Sequence, residues 1–505
     1  MDVFELISTA EERYGNRTAI IDNDKEIDYK NVKINSYTLA EALHELGLKK
    51  GDKIAIYLPN RVEYVYIYFA CYLTGIIVVP IDFYLSDIEI INIINHCDIK
   101  YIFAEKSPRC NMSKLINSCD SLKGIISLDD NPQYISFNKL VEKKVDDFKK
   151  VTINNDDYSS IFYTSGSTGK PKGVLWNYRH IHIGAESVSY FLKDYVLNQR
   201  TIASIPLSHS GGILFAMSLL KLGLSVVMQR KFNPLEFLKL IEKWNVIFFW
   251  IVPPMWYSLL YLKDIAQFNL SSVKLSVVFG APSDPELIRK SNKYFPNAEI
   301  FTGWGMTEVV PPTTVCKLAE AGKVGKPYPW VNLKIVDENG FDRKTGEIGE
   351  LLAKGEGVFL GYYNEPELTA ELFKDGWFKT GDLAYIDKEG YVYLAGRSKD
   401  MLKVGAEIVW CAEVENTLLK HPCIRDVAII GIPDKLRGEV PVACIVLKEG
   451  IVLPEKYIID YAVEHLAKFK IPKHIIYMKE LPKTGVGKID KAKLKEVYAE
   501  LDKSS

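Results

Sequence analysis

The stretch from Ile161 to Val174 reads Ile-Phe-Tyr-Thr-Ser-Gly-Ser-Thr-Gly-Lys-Pro-Lys-Gly-Val. Its apolar approach, Ile161 to Tyr163, predicts the end of a buried strand. The remainder is rich in glycine, hydroxyls and lysine and has almost nothing apolar to bury, so it belongs in a loop at the edge of a core. Such a loop offers backbone N–H groups, hydroxyls and ammonium groups in succession, which suits a polyphosphate. It is not a Walker loop. That motif needs Gly, four residues, then Gly-Lys-Ser/Thr, whereas Thr164 stands at the first glycine position and Pro171 follows Lys170. Taken alone, the stretch is also compatible with a plain flexible linker of the same composition.

The flanking sequence narrows the fold. Short apolar runs at Thr18 to Asp22, Lys53 to Leu58, Ile76 to Pro80, 99–103 and 122–128 alternate with helical periods over 35–47 and 64–73. After the loop the pattern resumes at 201–205, 225–228, 246–252, 275–280 and 299–302. Strands alternating with helices predict an α/β fold built on mainly parallel sheets covered on both faces. Phosphate-binding loops sit at the carboxyl ends of such strands, which is where Gly166 and Gly303 are expected. From about Gly325 brief strands alternate with glycine turns, as at Asn339-Gly340 and Glu389-Gly390, predicting hairpins and a small β-barrel or sandwich over 325–397. The expected organisation is two α/β subdomains (1–324) and this barrel in a large domain, 1–397. A smaller α+β lid domain follows at 398–505, with helices over 412–420 and 455–466 and strands over 426–432 and 441–447.

Composition excludes more than it assigns. A formal net charge of -1 gives no footprint for nucleic acid. The eight cysteines are scattered, with no CxxC pair, so a reduced, cytoplasmic setting is expected over a disulfide scaffold or a zinc site. The acidic opening Met-Asp-Val-Phe-Glu-Leu lacks the character of a signal peptide. The longest apolar runs, Phe69 to Ile81 and Val246 to Trp256, are too short to span a bilayer and contain Gly or Pro. A soluble monomer or homodimer is expected, with loose association at a membrane surface left open.

Four further motifs follow the loop: Gly303-Trp304-Gly305-Met306-Thr307-Glu308, Thr380-Gly381-Asp382, Gly396-Arg397-Ser398-Lys399-Asp400, and Pro482-Lys483-Thr484-Gly485-Val486-Gly487-Lys488-Ile489-Asp490. In kind and order they resemble the signatures of the adenylate-forming enzymes: acyl-CoA synthetases, luciferases and peptide-synthetase adenylation domains. The resemblance runs through essentially the whole chain. It is specific for the chemistry and only weakly specific for the acid.

The resemblance implies ATP, Mg2+ and coenzyme A as cofactors. It places Thr164, Ser165, Gly166, Ser167, Thr168, Gly169 and Lys170 around the pyrophosphate end of ATP. Gly280, Ala281, Pro282, Gly303, Trp304, Gly305 and Met306 would stand along the nucleotide, with Trp304, where relatives commonly carry tyrosine, offering an indole face to adenine. Thr307 would donate to the α-phosphate and Glu308 would help hold magnesium, a hard cation that prefers oxygen ligands. Read without the resemblance, Thr307-Glu308 is an ordinary helix start. Asp382 would accept the ribose hydroxyls, an Asx-turn being the plain alternative, and the Arg397 fork would reach ribose and phosphate. Lys488 would bridge the acyl carboxylate and the α-phosphate, although its lysine-rich surroundings alone read as solvated surface. Lys399 matches the hinge and Gly405 the pantetheine channel. Cys411 stands where relatives usually have proline, in a supporting position. Most of the eight histidines read as surface residues. His209 is the exception, expected beside the incoming carboxylate, with Ser210, Gly211, Trp250, Gly280 and Gly305 around the acyl pocket.

The leading expectation is an ATP-dependent acid–CoA ligase: acid and MgATP give acyl-adenylate and pyrophosphate, and CoA then displaces AMP. An enzyme loading a carboxylic or aryl acid onto carrier-protein phosphopantetheine is the alternative. A non-catalytic binding protein and a luciferase-like oxygenase remain as other classes. Acetyl-CoA synthetases carry two successive tryptophans in the glutamate motif, whereas this chain has Trp304 then Gly305, so the floor of a tiny acyl pocket is missing. The apolar segments 213–220, 248–254 and 277–281 favour a medium- or long-chain fatty acid or another apolar acid, and with it a place in lipid metabolism.

Overall fold

The computed structural model describes the chain apart from residues 1–2, 130, 165–170, 197–198, 280–285, 398–400, 405–406, 435–436, 484–488 and 504–505. The chain divides into two compact units, Met1–Leu333 with Ala353–Phe378, and Lys334–Leu352 with Lys379–Ser505.

The first unit holds two α/β sheets. In one, the strands run in the order Ile135–Ser136, Gly124–Ser127, Tyr101–Ala104, Lys53–Tyr57, Ile77–Pro80, Tyr158–Thr164 and Lys172–Asn177. All pairs in it are parallel except the last, an antiparallel hairpin that pairs Thr164 with Lys172. The second sheet has a parallel centre of Thr18–Asp22, Ser225–Met228, Arg200–Ala203, Phe248–Ile251, Leu275–Val278 and Glu299–Met306. These strands are short and continuously apolar because both faces are covered, the pattern of parallel sheets. Ile202, Val227, Phe249, Ile251 and Val278, for example, pack with Phe237, Ile241 and Trp256 of the covering helices.

Local signals set the helix ends. The helix Tyr29–Glu45 starts six residues before the expected 35 because Asp28 caps it, its carboxylate accepting from the Asn31 N–H. The helix Val62–Thr74 is apolar nearly all round and buried over almost its whole surface, and it stops at Gly75, whose φ of 73° is the left-handed conformation glycine adopts freely.

The strands Asn332–Val336, Gly349–Lys354, Trp377–Ile386 and Val392–Arg397, most of whose residues belong to the second unit, neighbour one another in that order. A separate five-stranded sheet follows. Its long hairpin, Ile424–Asp434 with Gly438–Leu447, is flanked by Met401–Val404 and Glu407–Trp410 and by a parallel strand, His474–Tyr477. Alternate residues of the hairpin serve two cores. Val427, Ile429, Ala443 and Ile445 pack with Val414, Leu418 and Ile458, while Ala428, Ile430, Val442 and Cys444 pack with Leu481 and Leu494. Cys411 opens the helix Cys411–Leu419 and lies inside the first of these cores, so it supports the fold. None of the cysteines forms a disulfide. Among the described residues, no helix is long and apolar enough to cross a membrane.

Candidate active site

The stretch predicted to bind phosphate falls between the two strands of the antiparallel hairpin in the first unit. Thr164 closes its base opposite Lys172, and the Tyr163 hydroxyl is held by His96 Nδ1 and, at 3.2 Å, by Cys97 Sγ. Ser165, Gly166, Ser167, Thr168, Gly169 and Lys170 lie outside the described residues, as do Gly280, Ala281 and Pro282.

Gly303 follows Thr302, the last residue of the parallel ladder with Leu275–Val278, so it stands at the carboxyl edge as expected. The chain then runs on as an antiparallel strand, and Trp304 pairs with Thr314. Gly303 is required sterically: a Cβ there would lie 2.1 Å from Thr314 O and 2.4 Å from Phe279 Cε1. At Gly305 a Cβ would come within 2.9 Å of Pro311 Cβ and 3.0 Å of Pro311 Cα. The direction a side chain at 305 would take is therefore met by Pro311, and glycine at this position does not of itself open a pocket. Trp304 is only 4% exposed, and its backbone N–H donates to Thr314 Oγ1 at 3.0 Å.

Thr307 and Glu308 form the tight turn between the strands Glu299–Met306 and Val309–Lys317, not the start of a helix. Four contacts fix the turn. Trp176 Nε1 donates to Thr307 O at 2.8 Å, and Thr307 Oγ1 lies 3.3 Å from Ser210 Oγ. Phe359 N–H donates to Glu308 O at 2.9 Å, and the Tyr362 hydroxyl donates to Glu308 Oε1 at 2.9 Å. Burial, with Glu308 alongside, pushes the Tyr362 hydroxyl well above its ordinary pKa, so it remains a donor at neutral pH. Glu308 is itself 7% exposed.

His209 Nε2 is 3.7 Å from Asp82 Oδ2. The segment before it is clamped from outside. Asn60 Oδ1 accepts from Leu207 N–H at 2.8 Å, Asn60 Nδ2 donates to Ile205 O at 3.0 Å, and the Tyr68 hydroxyl donates to Leu207 O at 2.8 Å. A Cβ on Gly211 would meet nothing within 4 Å. Trp250 is buried and meets the Phe279 ring edge-on at 6.2 Å between centroids. Since Phe279 also lies against Gly303, an aromatic pair lines the ends of neighbouring strands here.

His180 departs from the expectation that most histidines are surface residues. It is buried, its Nδ1 accepts from Asn177 N–H at 3.1 Å and its Nε2 lies 2.9 Å from Val358 O. That pattern assigns the neutral tautomer with the proton on Nε2, and burial pushes its pKa down.

In the second unit Asp382 and Arg397 are cross-strand partners, with Arg397 Nε 2.9 Å from Asp382 Oδ1. The Asp382 side chain is 8% exposed and that of Arg397 42%. Thr380 Oγ1 donates to Leu351 O at 2.7 Å and accepts from Asp382 N–H at 3.1 Å. Asp382 thus lies in a strand ladder and not in an Asx-turn. Lys399, Gly405 and Lys488 lie outside the described residues. The segment bearing Lys488 has a defined base: Lys483 bridges to Ile489, Asp490 N–H donates to Pro482 O at 2.8 Å, and Leu481 is in the core.

In the first unit Asn60, Asp82, Trp176, Phe279 and Tyr362 contact the predicted site residues or the segment leading to His209, without having been singled out from sequence. Among the described residues there is no cluster of three or more His, Cys, Asp or Glu able to cage a metal ion. A single buried carboxylate such as Glu308 instead suits Mg2+, which keeps much of its water and is held by one or two carboxylates and the substrate phosphates.

The parallel-sheet scaffold and the ordered motifs along the chain are those of an ATP-dependent adenylate-forming enzyme. Residues 7–363 match the AMP-binding enzyme family and residues 413–488 its C-terminal domain, and the chain belongs to this family. The long-chain-fatty-acid–CoA ligase of Bacillus subtilis (strain 168) is 29% identical over 544 residues, covering 98% of this chain and 94% of that protein. The crystal structure of the anthranilate CoA ligase AuaEII in complex with anthranoyl-AMP superposes with a TM-score of 0.90 at 28% identity, covering 98% of this chain and 97% of that one. The O-succinylbenzoate coenzyme A synthetase of Bacillus subtilis, in complex with ATP and magnesium ion, gives 0.84 at 27% identity, covering 97% and 99%.

Proposed function

We propose that the protein is an acid–CoA ligase acting on a carboxylic acid with an apolar body, a medium- or long-chain fatty acid or an aryl acid. The observation that carries the reading is the Thr307–Glu308 turn, held by Trp176, Ser210, Phe359 and Tyr362 next to the strand pair that launches the phosphate loop.

In the first half-reaction a carboxylate oxygen attacks the α-phosphorus, an acyl–phosphate bond forms, and the bond to the β-phosphate oxygen breaks with release of pyrophosphate. Charge grows on the phosphate oxygens, so preorganised donors and cations matter more than a protein nucleophile. Ser165 to Lys170 hold the departing pyrophosphate, Thr307 donates to the α-phosphate, and Lys488 spans carboxylate and phosphate. Glu308 is the protein ligand for magnesium, which when bound supplies charge neutralisation across the phosphates. Asp382 and Arg397 hold the ribose, an assignment that asks the nucleotide to share their ion pair. In the second half-reaction the CoA thiol, passing Gly405, attacks the acyl carbon, loses its proton to solvent and expels AMP. Rotation about Lys399 separates the two steps, with 398–505 as the moving domain. His209, oriented by Asp82, borders the acid.

The edge-to-face pair Trp250–Phe279 supports an apolar acid. The relatives named above act on a long-chain fatty acid, anthranilate and succinylbenzoate, so the family leaves the acid open. The test is acid-dependent exchange of pyrophosphate into ATP, followed by thioester product analysis with CoA or carrier protein across straight-chain acids of two to sixteen carbons and a set of aryl acids. Each buried methylene should add about 0.8 kcal/mol until the cavity is full. A preference for acetate would overturn the apolar-acid reading, and no acid-dependent exchange would overturn the ligase reading.

A further inference from the structure

Tyr362 sits where two separate parts of the site are tied together. The segment 357–363 runs as a strap beside the strand that leaves the phosphate loop. Leu360 N–H donates to Leu175 O at 3.2 Å, Leu175 N–H to Gly361 O at 3.1 Å, and Tyr363 N–H to Gly173 O at 2.7 Å. The same strap reaches the glutamate turn, since Val310 N–H donates to Gly357 O and Phe359 N–H to Glu308 O, both at 2.9 Å. Tyr362 contributes a side chain to each end. Its ring lies under the Lys172 ammonium at 5.2 Å, and its hydroxyl grips Glu308 Oε1 at 2.9 Å. The strap borders a surface groove of about 740 Å3, lined by Phe359, Tyr362, Thr369 and Phe373 among others. The backbone of Glu308 is fixed by Phe359, but its carboxylate turns about three side-chain torsions, and the phenol restricts that rotation.

We propose that Tyr362 is a positioning residue for metal–nucleotide binding: its hydroxyl fixes the rotamer of the Glu308 carboxylate, while its ring, through Lys172, keeps that carboxylate in register with the exit of the phosphate loop. The inference rests on the ligase reading, in which Glu308 is the metal ligand. A hydrogen-bond partner behind a metal ligand orients it, and removing such a partner typically costs roughly 10–100-fold in metal affinity or activity. The hydroxyl and the ring have separable effects. Tyr362→Phe deletes only the oxygen and leaves the cation–ring contact, whereas Tyr362→Ala removes both.

The experiment uses the full chain and Mn2+ as the probe. Binding of Mn2+ in the presence of ATP is read by electron paramagnetic resonance, with thermal melting of every variant alongside. Tyr362→Phe should melt close to the parent and bind Mn2+ about tenfold more weakly, and Tyr362→Ala should be weaker still. In a Glu308→Gln background the same Tyr362→Phe change should have no further effect, because the group it positions is gone. Mn2+ affinity in Tyr362→Phe within twofold of the parent, or an equal loss in the Glu308→Gln background, overturns the positioning role and leaves the ligase reading intact. A parent chain that binds no Mn2+ with ATP overturns the ligase reading and this inference together.

Discussion

At the scale of single residues, two buried polar groups separate fold from chemistry. His180 is held neutral by burial and by its bonds to Asn177 and Val358. Its folded pKa lies below the ordinary value of about 6.5, so it contributes stability that is fully present above that pH and is lost as pH falls below it toward the folded value. His180→Asn cannot take up this proton. The variant should be less stable than the parent at pH 7.5 and should lose less of its stability on going to pH 5.5, as read from urea midpoints at the two pH values. Equal losses in both proteins would show that His180 is not the group responsible. Asp382 is the opposite case, a buried carboxylate paired with Arg397, which is itself half in solvent. Asp382→Asn keeps the shape and removes the charge. A lost charged hydrogen bond to ribose costs about 1.5–3 kcal/mol, so kcat/KM for ATP should fall roughly tenfold to a hundredfold while the melting temperature moves little. An unchanged kcat/KM would remove Asp382 from the nucleotide site.

At the scale of elements, the strand Glu299–Met306 shows how a glycine can be legible and its reason hidden. The motif marks Gly303, yet only the fold reveals that Thr314 O and Phe279 leave no room for a side chain. Gly303→Ala should destabilise by about 1–3 kcal/mol, the usual cost of overpacking. Gly211→Ala, facing open space at the start of the helix Ser210–Leu222, should be neutral or gain up to about 1 kcal/mol, while shifting the preferred acid if this face borders the acyl pocket. Urea titrations of both variants check the contrast, and equal costs would contradict it. The strands themselves were readable because a parallel sheet covered on both faces demands short unbroken apolar runs, and Ser225–Met228 falls where that pattern puts it. The clamps were not readable. Trp176 and Thr307 are 131 residues apart and Tyr362 and Glu308 are 54 apart, so no local periodicity joins them. Trp176 looks like any core aromatic, and Tyr362 like one of 29 tyrosines. Thr307-Glu308 misleads for the same reason: its composition suits a helix start, but pairing of the flanking strands makes it a turn.

At the scale of the molecule, the two half-reactions make different demands on the chain. Thr307, Glu308 and His209 belong to one compact unit, while Asp382, Arg397 and the sequence around Lys399 and Lys488 belong to the other. In the proposed mechanism adenylation needs Lys488 while charge develops between carboxylate and phosphate, and thioester formation does not. Lys488→Ala should therefore slow adenylation by roughly 3 kcal/mol or more, comparable to losing an oxyanion donor, and spare thioester formation from presynthesised acyl-adenylate. Lys399→Pro asks the complementary question. Proline fixes φ near −65° and so removes the torsional freedom a hinge requires. If residues 398–505 rotate as one body between the steps, this variant will form acyl-adenylate at close to the parent rate and stall before the thioester. Single-turnover measurements of pyrophosphate release and of acyl-CoA formation give the two rates separately. Adenylation should survive in Lys399→Pro and fail in Lys488→Ala, with thioester formation showing the reverse. Should Lys399→Pro turn over at the full rate, the boundary does not lie at 398 or the reaction needs no rotation there. Should it lose both steps equally while still melting like the parent, position 399 serves the chemistry of each half-reaction and is not a hinge.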